Sequence, residues 1–127
     1  MQHAIIIDDN PRNINVLGRL LEQQNFESVR ITQPSKIEEA LHTITQTDII
    51  FLDLEMPMID GFQVLDWLKS DVRFASVPVI AYTVHVSELK AAYDYGFDGF
   101  LGKPINSDRF PDQLKRILNG QPVWEAM

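Results

Sequence analysis

Five short apolar runs punctuate this chain, and stretches of helical periodicity separate them. The runs cover residues 4–7, 29–32, 49–52, 77–82 and 99–101, with the second set in an alternating stretch from Glu27 to Thr32. Runs that are continuous rather than alternating suit strands buried on both faces of a parallel sheet. The second run is the weakest of the five. Between them lie amphipathic segments. The first carries Val16, Leu17, Leu20 and Leu21, with Asn10 placed to cap it and Pro11 at its first position. The second opens with Ser35 and Glu38 at capping-box spacing and presents Ile37, Leu41 and Ile44. The third follows Gly61 with Val64, Leu65 and Leu68; the fourth shows Leu89, Ala92 and Tyr93 and stops at Gly96. The fifth shows Phe110, Leu114, Ile117 and Leu118 and stops at Gly120, and Ser107 as its cap makes Pro111 tolerable in the first turn. Five βα units in one chain imply a doubly wound α/β sandwich of three layers, with right-handed crossovers placing helices on both sheet faces.

Composition narrows what such a domain does. At 127 residues the chain is the size of one domain that can bury a core without staples. There is no cysteine, which excludes disulfides, iron–sulfur clusters, cysteine-bound zinc and thiol catalysis. A formal charge of −7 argues against direct binding to nucleic acid or to an anionic membrane. No apolar run approaches the roughly 20 residues of a membrane span. The opening Met1-Gln2-His3 lacks the basic and long apolar regions of a secretion signal, so a cytoplasmic location is expected.

In open α/β sheets ligands bind at the carboxyl ends of the strands. There the first run is followed by Asp8-Asp9, the third by Asp53, the fourth by Thr83 and the fifth by Lys103-Pro104. Three carboxylates, one hydroxyl and one ammonium therefore converge on one edge. Carboxylates held together repel, and a hard divalent cation or a fixed lysine relieves that cost. Mg²⁺ is the natural cation, with Mn²⁺ as a substitute, because it keeps several waters and takes one or two carboxylates. A metal and an ammonium beside a carboxylate also suit phosphoryl transfer, in which an Asp can be the nucleophile.

Asp8-Asp9, the run Asp53-Leu54-Glu55-Met56-Pro57 with Asp60-Gly61, Thr83 and Lys103-Pro104 together resemble the response-regulator receiver domain, over residues 4–118. The resemblance implies a flavodoxin-like (βα)5 fold with parallel strand order 2-1-3-4-5. It implies that Asp53 accepts phosphate from a histidine kinase or histidine phosphotransfer protein, in a phosphorelay or as a switch. It implies that Asp8, Asp9, Asp53 and the Glu55 backbone carbonyl hold Mg²⁺, that Thr83 and Lys103 engage the phosphoryl group, and that the Lys103–Pro104 peptide is cis. Phe100 stands at the family's switch aromatic, whose rotamer follows the threonine and repacks the face of the fourth helix, fifth strand and fifth helix. A downstream protein target is expected there, with the chain a monomer or a phosphorylation-dependent dimer. The expected role is signalling, the chain catalysing only its own phosphorylation and dephosphorylation.

Three positions depart from the family's habit. Val84 follows the threonine where a small residue is usual, and would narrow access to the pocket. Glu55 would pair with Lys103 or hinder an attacking water. The switch aromatic is Phe100 rather than Tyr. His85 reads as a loop histidine at the pocket mouth, Trp67 with Met56 and Met58 as packing, and Pro57 and Gly61 as turn residues. The domain is expected to span residues 1–120, with 121–127 a short tail that packs back or moves freely. With the chain ending soon after the fifth helix, output is expected to pass through another protein. The alternatives are a receiver excised from a hybrid histidine kinase and a phosphatase working through an aspartyl phosphate, although no insertion for substrate selection is present. A flavin carrier of the same fold would need a Ser/Thr/Gly-rich loop where Asp8-Asp9-Asn10-Pro11-Arg12 stands. A phosphorylation-independent adaptor would not need the full residue set.

Overall fold

The computed structural model describes residues 1–125. In chain order the elements are β1 (Gln2–Ile7), α1 (Pro11–Gln23), β2 (Phe26–Ile31), α2 (Ile37–His42), β3 (Ile49–Asp53), β4 (Glu55–Met56), β5 (Ile59–Asp60), α3 (Gly61–Ser70), β6 (Val79–Thr83), α4 (Leu89–Tyr95), β7 (Gly99–Gly102), α5 (Phe110–Leu118) and β8 (Val123–Glu125). The main sheet runs β2-β1-β3-β6-β7-β8, parallel throughout. Its first five positions carry the expected 2-1-3-4-5 order of a flavodoxin-like fold. β4 and β5 form a separate antiparallel hairpin between β3 and α3.

The continuous apolar runs divide residue by residue between two cores. Ile5, Ile7, Ile50, Leu52, Val79, Ala81 and Phe100 face α2, α3 and α4 through Ile37, Leu41, Val64, Leu65, Leu68 and Ala92. Ala4, Ile6, Ile49, Phe51, Ile80, Tyr82 and Leu101 face α1 and α5 through Ile14, Leu17, Leu21, Phe110, Leu114 and Ile117. This is the period-two alternation of strand side chains, with both faces covered. Ile5, Ile6 and Ile7 are fully buried, each contributing on the order of 1.5–3 kcal/mol over exposure. β2, on the edge, buries only Phe26 and Ile31 fully, which explains why its pattern was weak.

Helix ends explain where the strands hand over to the site. Asn10 Oδ1 accepts from the backbone N–H groups of Arg12 (2.9 Å) and Asn13 (3.3 Å), capping α1 with Pro11 in the first turn as expected. α4 ends at Gly96, whose φ of +118° is left-handed and open to glycine.

Five local expectations are corrected. Ser35 does not cap α2: Pro34–Lys36 form a 3₁₀ turn closed by Lys36 N–H to Gln33 O, and α2 starts at Ile37 without a side-chain cap. Ser107 does not cap α5. Asn106 Oδ1 instead accepts from Asp108 N (2.9 Å) and Arg109 N (3.2 Å), setting up a turn that leaves Pro111 in the first turn of α5. Val16 points outward while Ile14 joins Leu17, Leu20 and Leu21 on the buried face. Met58 is fully exposed at φ 65° in the β4–β5 turn, unlike buried Met56, and Gly61 is the first residue of α3.

The tail adds a sixth strand. β8 lies parallel to β7, with Gly99 opposite Val123, Phe100 opposite Trp124 and Leu101 opposite Glu125. A Cβ on Gly99 would come within 2.9 Å of Val123 O, so glycine permits this approach. The Trp124 ring meets exposed Tyr93 of α4 edge-on at 5.1 Å. Glu125 accepts from Arg109 (2.8 Å), Gln113 (2.8 Å) and Arg116 (2.7 Å), and these cations and the amide hold its carboxyl below the usual range.

Candidate phosphoacceptor site

Four adjacent strands end on one edge. Asp8 follows β1, Asp53 is the last residue of β3, Thr83 the last of β6, and Lys103 follows β7. Parallel register sets Ile7 beside Leu52, Asp53 beside Tyr82 and Thr83 beside Gly102, so residues distant in the chain become neighbours. Asp8 N–H continues the ladder to Ile31 O of β2 (3.1 Å). Asp8 and Thr83 are fully buried and Asp53 is 3% exposed. Asp53 and Thr83 line a cleft of about 490 Å³ together with Asp9, Asn10, Glu55, Val84 and Lys103. Two depressions of about 640 Å³ at the amino-terminal end of the strands gather no comparable carboxylate set among the described residues.

Lys103 Nζ reaches both buried carboxylates, at 3.0 Å from Asp8 Oδ2 and 3.3 Å from Asp53 Oδ1. Asp8 Oδ1 accepts from Asn10 N–H (2.9 Å), and Asp53 Oδ1 from Glu55 N–H (3.1 Å). The two acids respond differently. Burial pushes Asp53 up to about 6, and the Asp8 charge adds to the rise, while the Glu55 N–H and Lys103 oppose it. Burial also acts on Asp8, but Asn10 N–H, the Tyr82 hydroxyl and Lys103 outweigh it and hold that carboxyl below its usual value. Asp53 is thus the acid of the pair that takes a proton first, and its carboxylate is anionic above pH about 6.

Asp8, Asp9 and Asp53 each offer an oxygen within 4.8 Å of the others. Carboxylate oxygens are the donors that hard divalent cations take, so this donor set fits Mg²⁺.

Thr83 Oγ1 accepts from His85 N–H (3.2 Å), and Thr83 O accepts from Lys103 N–H (2.9 Å). The Lys103–Pro104 peptide is cis. Glu55 does not pair with Lys103, whose ammonium is taken by Asp8 and Asp53. Its side chain stands 4.0 Å from exposed His85 and beside Glu88, whose carboxyl is pushed up by burial and by Glu55. Phe100 is fully buried on the α4 side of the sheet, between Ala81 and Trp124 in register. Val84 is 60% exposed at the cleft.

One residue of the site escaped the sequence reading. Tyr82 OH donates to Asp8 Oδ2 at 2.7 Å, and its ring lies 4.3 Å from Lys103 Nζ. Burial and the neighbouring Asp8 push its phenol far above the usual value, so it acts as a neutral donor. A buried phenol needs a hydrogen-bond partner, and a tyrosine inside an otherwise aliphatic central strand was the available signal.

The model of the response regulator receiver domain matches residues 4–115. The chain belongs to that family. It is a receiver of two-component signal transduction, a signalling domain rather than a conventional enzyme. It is 29% identical over 119 residues to the polar-differentiation response regulator DivK of Brucella ovis, covering 91% of this chain and 94% of DivK. Among solved structures it is similar to the chemotaxis protein CheY4 of Vibrio cholerae (TM-score 0.81, 18% identity, covering 92% and 98% of the two chains). It is also similar to the receiver domain of the sensor histidine kinase PA1611 of Pseudomonas aeruginosa (TM-score 0.80, 20% identity, covering 93% and 98%), a structure with magnesium coordinated in its active-site cleft. No helix of the described receiver is long and apolar enough to cross a membrane.

Proposed function

We propose that this receiver accepts a phosphoryl group on Asp53 from the phosphohistidine of a histidine kinase or phosphotransfer protein. The observation that carries the reading is the buried Asp53 carboxylate, with Lys103 Nζ at 3.3 Å and Asp8 and Asp9 at metal-binding spacing. The carboxylate oxygen attacks phosphorus as the P–N bond to the donor imidazole breaks, giving an acyl phosphate. Asp8, Asp9, Asp53 and the Glu55 backbone carbonyl would hold Mg²⁺ (or Mn²⁺), which supplies positive charge to the phosphoryl oxygens when bound. Lys103 gives the second fixed cation, and the Thr83 hydroxyl a neutral donor. Thr83 drawn toward the phosphoryl group pulls on β6, and Phe100 on β7 responds because it packs beside Ala81. The surface of α4, β7 and α5 then changes its affinity for a downstream protein, by population shift. Glu55, Val84 and His85 at the mouth modulate access, and the setting is cytoplasmic.

The test is incubation with Mg²⁺ and acetyl phosphate, followed by intact mass. Wild type is expected to gain one phosphoryl group, and Asp53→Asn none. Failure of wild type to be modified by acetyl phosphate or by a phosphohistidine donor overturns the reading.

A further inference from the structure

We propose that Tyr82 is a positioning residue of this site, dividing the Lys103 ammonium between Asp8 and Asp53. The inference rests on the phosphoacceptor reading above. Tyr82 is 1% exposed on the central strand β6, and its ring packs edge-on to Phe51 at 6.4 Å. Its hydroxyl donates to Asp8 Oδ2 at 2.7 Å, the same oxygen that Lys103 Nζ approaches at 3.0 Å. The ring holds that ammonium 4.3 Å from its centroid, within the range of a cation–π contact. One side chain therefore touches both the acid that serves the metal and the cation that serves the phosphoryl group.

Two buried anions compete for one ammonium, at 3.0 and 3.3 Å. A neutral donor on Asp8 Oδ2 satisfies part of that oxygen's demand without bringing charge. With the hydroxyl removed, the ammonium answers that demand and closes on Asp8. It then competes with the divalent cation for Asp8 and moves off Asp53. The ring acts separately, as a floor that keeps the flexible lysine stem from leaving the pair.

The two parts are separable with Tyr82→Phe, which keeps the ring, and Tyr82→Leu, which removes both. Three quantities are measured on the full chain: Mg²⁺ affinity by calorimetry, phosphoryl loading from acetyl phosphate at saturating Mg²⁺, and the near-ultraviolet tyrosine difference spectrum on adding Mg²⁺. Thermal unfolding checks that both variants fold. In Tyr82→Phe the Kd for Mg²⁺ is expected to rise about tenfold, the scale of one hydrogen bond to a charged group. Saturating Mg²⁺ restores its loading rate, because a neutralised Asp8 releases the lysine. Tyr82→Leu stays about tenfold slow at saturating Mg²⁺. The wild-type difference spectrum vanishes in Tyr82→Phe. A wild-type Mg²⁺ affinity in a folded Tyr82→Phe overturns the proposal, and equal saturated rates in the two variants overturn the role of the ring. A wild-type chain that binds no Mg²⁺ and takes no phosphoryl group brings down the phosphoacceptor reading itself.

Discussion

Lys103 Nζ stands 3.3 Å from Oδ1 of Asp53, with 8% of the lysine side chain and 4% of the aspartate side chain exposed. The same ammonium serves Asp8 at 3.0 Å, so one cation compensates two buried anions. Breaking a buried pair by removing one partner leaves an uncompensated charge and costs about 3–5 kcal/mol. Lys103→Met keeps most of the stem and removes only the charge. In metal-free protein at pH 8 it is expected to lower stability by about 3 kcal/mol in urea unfolding. At pH 5 the loss shrinks, because Asp53, raised to about 6, takes a proton and the repulsion eases. Equal losses at the two pH values would sink this account.

The same shift makes a second prediction about Asp53 alone. Its folded pKa of about 6 lies above the ordinary 3.8, so the folded state holds the proton more tightly than the unfolded chain. The Asp53 contribution to the stability of the metal-free protein therefore falls as pH rises from about 4 to about 6, then levels off. Asp53→Asn removes the charge that burial penalises. It is expected to stabilise the metal-free protein by about 2 kcal/mol above pH 6, with the gain fading toward pH 4. An Asn variant no more stable than wild type at pH 8 contradicts the assigned burial penalty.

The strand ends were legible because a topological rule, not local sequence, brings Asp8, Asp53, Thr83 and Lys103 together. Once the apolar runs at 4–7, 49–52, 77–82 and 99–101 are read as parallel strands, their carboxyl ends must share an edge. What escaped depends on contacts from elsewhere in the chain. Tyr82 reads as one more core residue until Asp8 is seen under its hydroxyl. The strand Val123–Glu125 is only three residues long, too short for a periodic signal. It exists because Gly99 leaves β7 approachable and because Arg109, Gln113 and Arg116 of the α5 region collect the Glu125 carboxylate. The Ser35–Glu38 spacing was genuine, yet Pro34 nucleates a 3₁₀ turn that puts Ser35 inside it.

That short strand is open to a direct test. Gly99→Ala places a methyl 2.9 Å from Val123 O, a backbone atom that moves only if β8 moves. The expected result is detachment of β8 at a cost of about 1–3 kcal/mol, with loss of amide protection at Trp124 in hydrogen exchange. In a Trp67→Phe background the Trp124 fluorescence shifts red as the ring leaves Tyr93. Glu125→Gln is the milder control, keeping the strand in place while weakening its contacts to Arg109 and Arg116. An unshifted Trp124 spectrum in the Gly99→Ala variant rules out the close approach as the reason for glycine.

Val84 lines the other side of the cleft. Thr83 is fully buried, but the next residue is 60% exposed and its β-branched side chain lines the pocket that water must cross to reach Asp53. Once Asp53 carries a phosphoryl group, hydrolysis needs a water in line with the acyl–phosphate bond, and Val84 crowds that approach. Val84→Ala opens it without touching Asp53, Thr83 or Lys103. Phosphoryl loss, timed by intact mass after the donor is removed, is expected to be about threefold faster, or about 0.65 kcal/mol off the barrier. Loading by a small donor such as acetyl phosphate rises in parallel, since both reactions use the same mouth. Stability changes little, because an exposed Val→Ala away from the core stays within about 0.5 kcal/mol. Equal half-lives in wild type and variant would mean that the side chain leans away from the path of the attacking water.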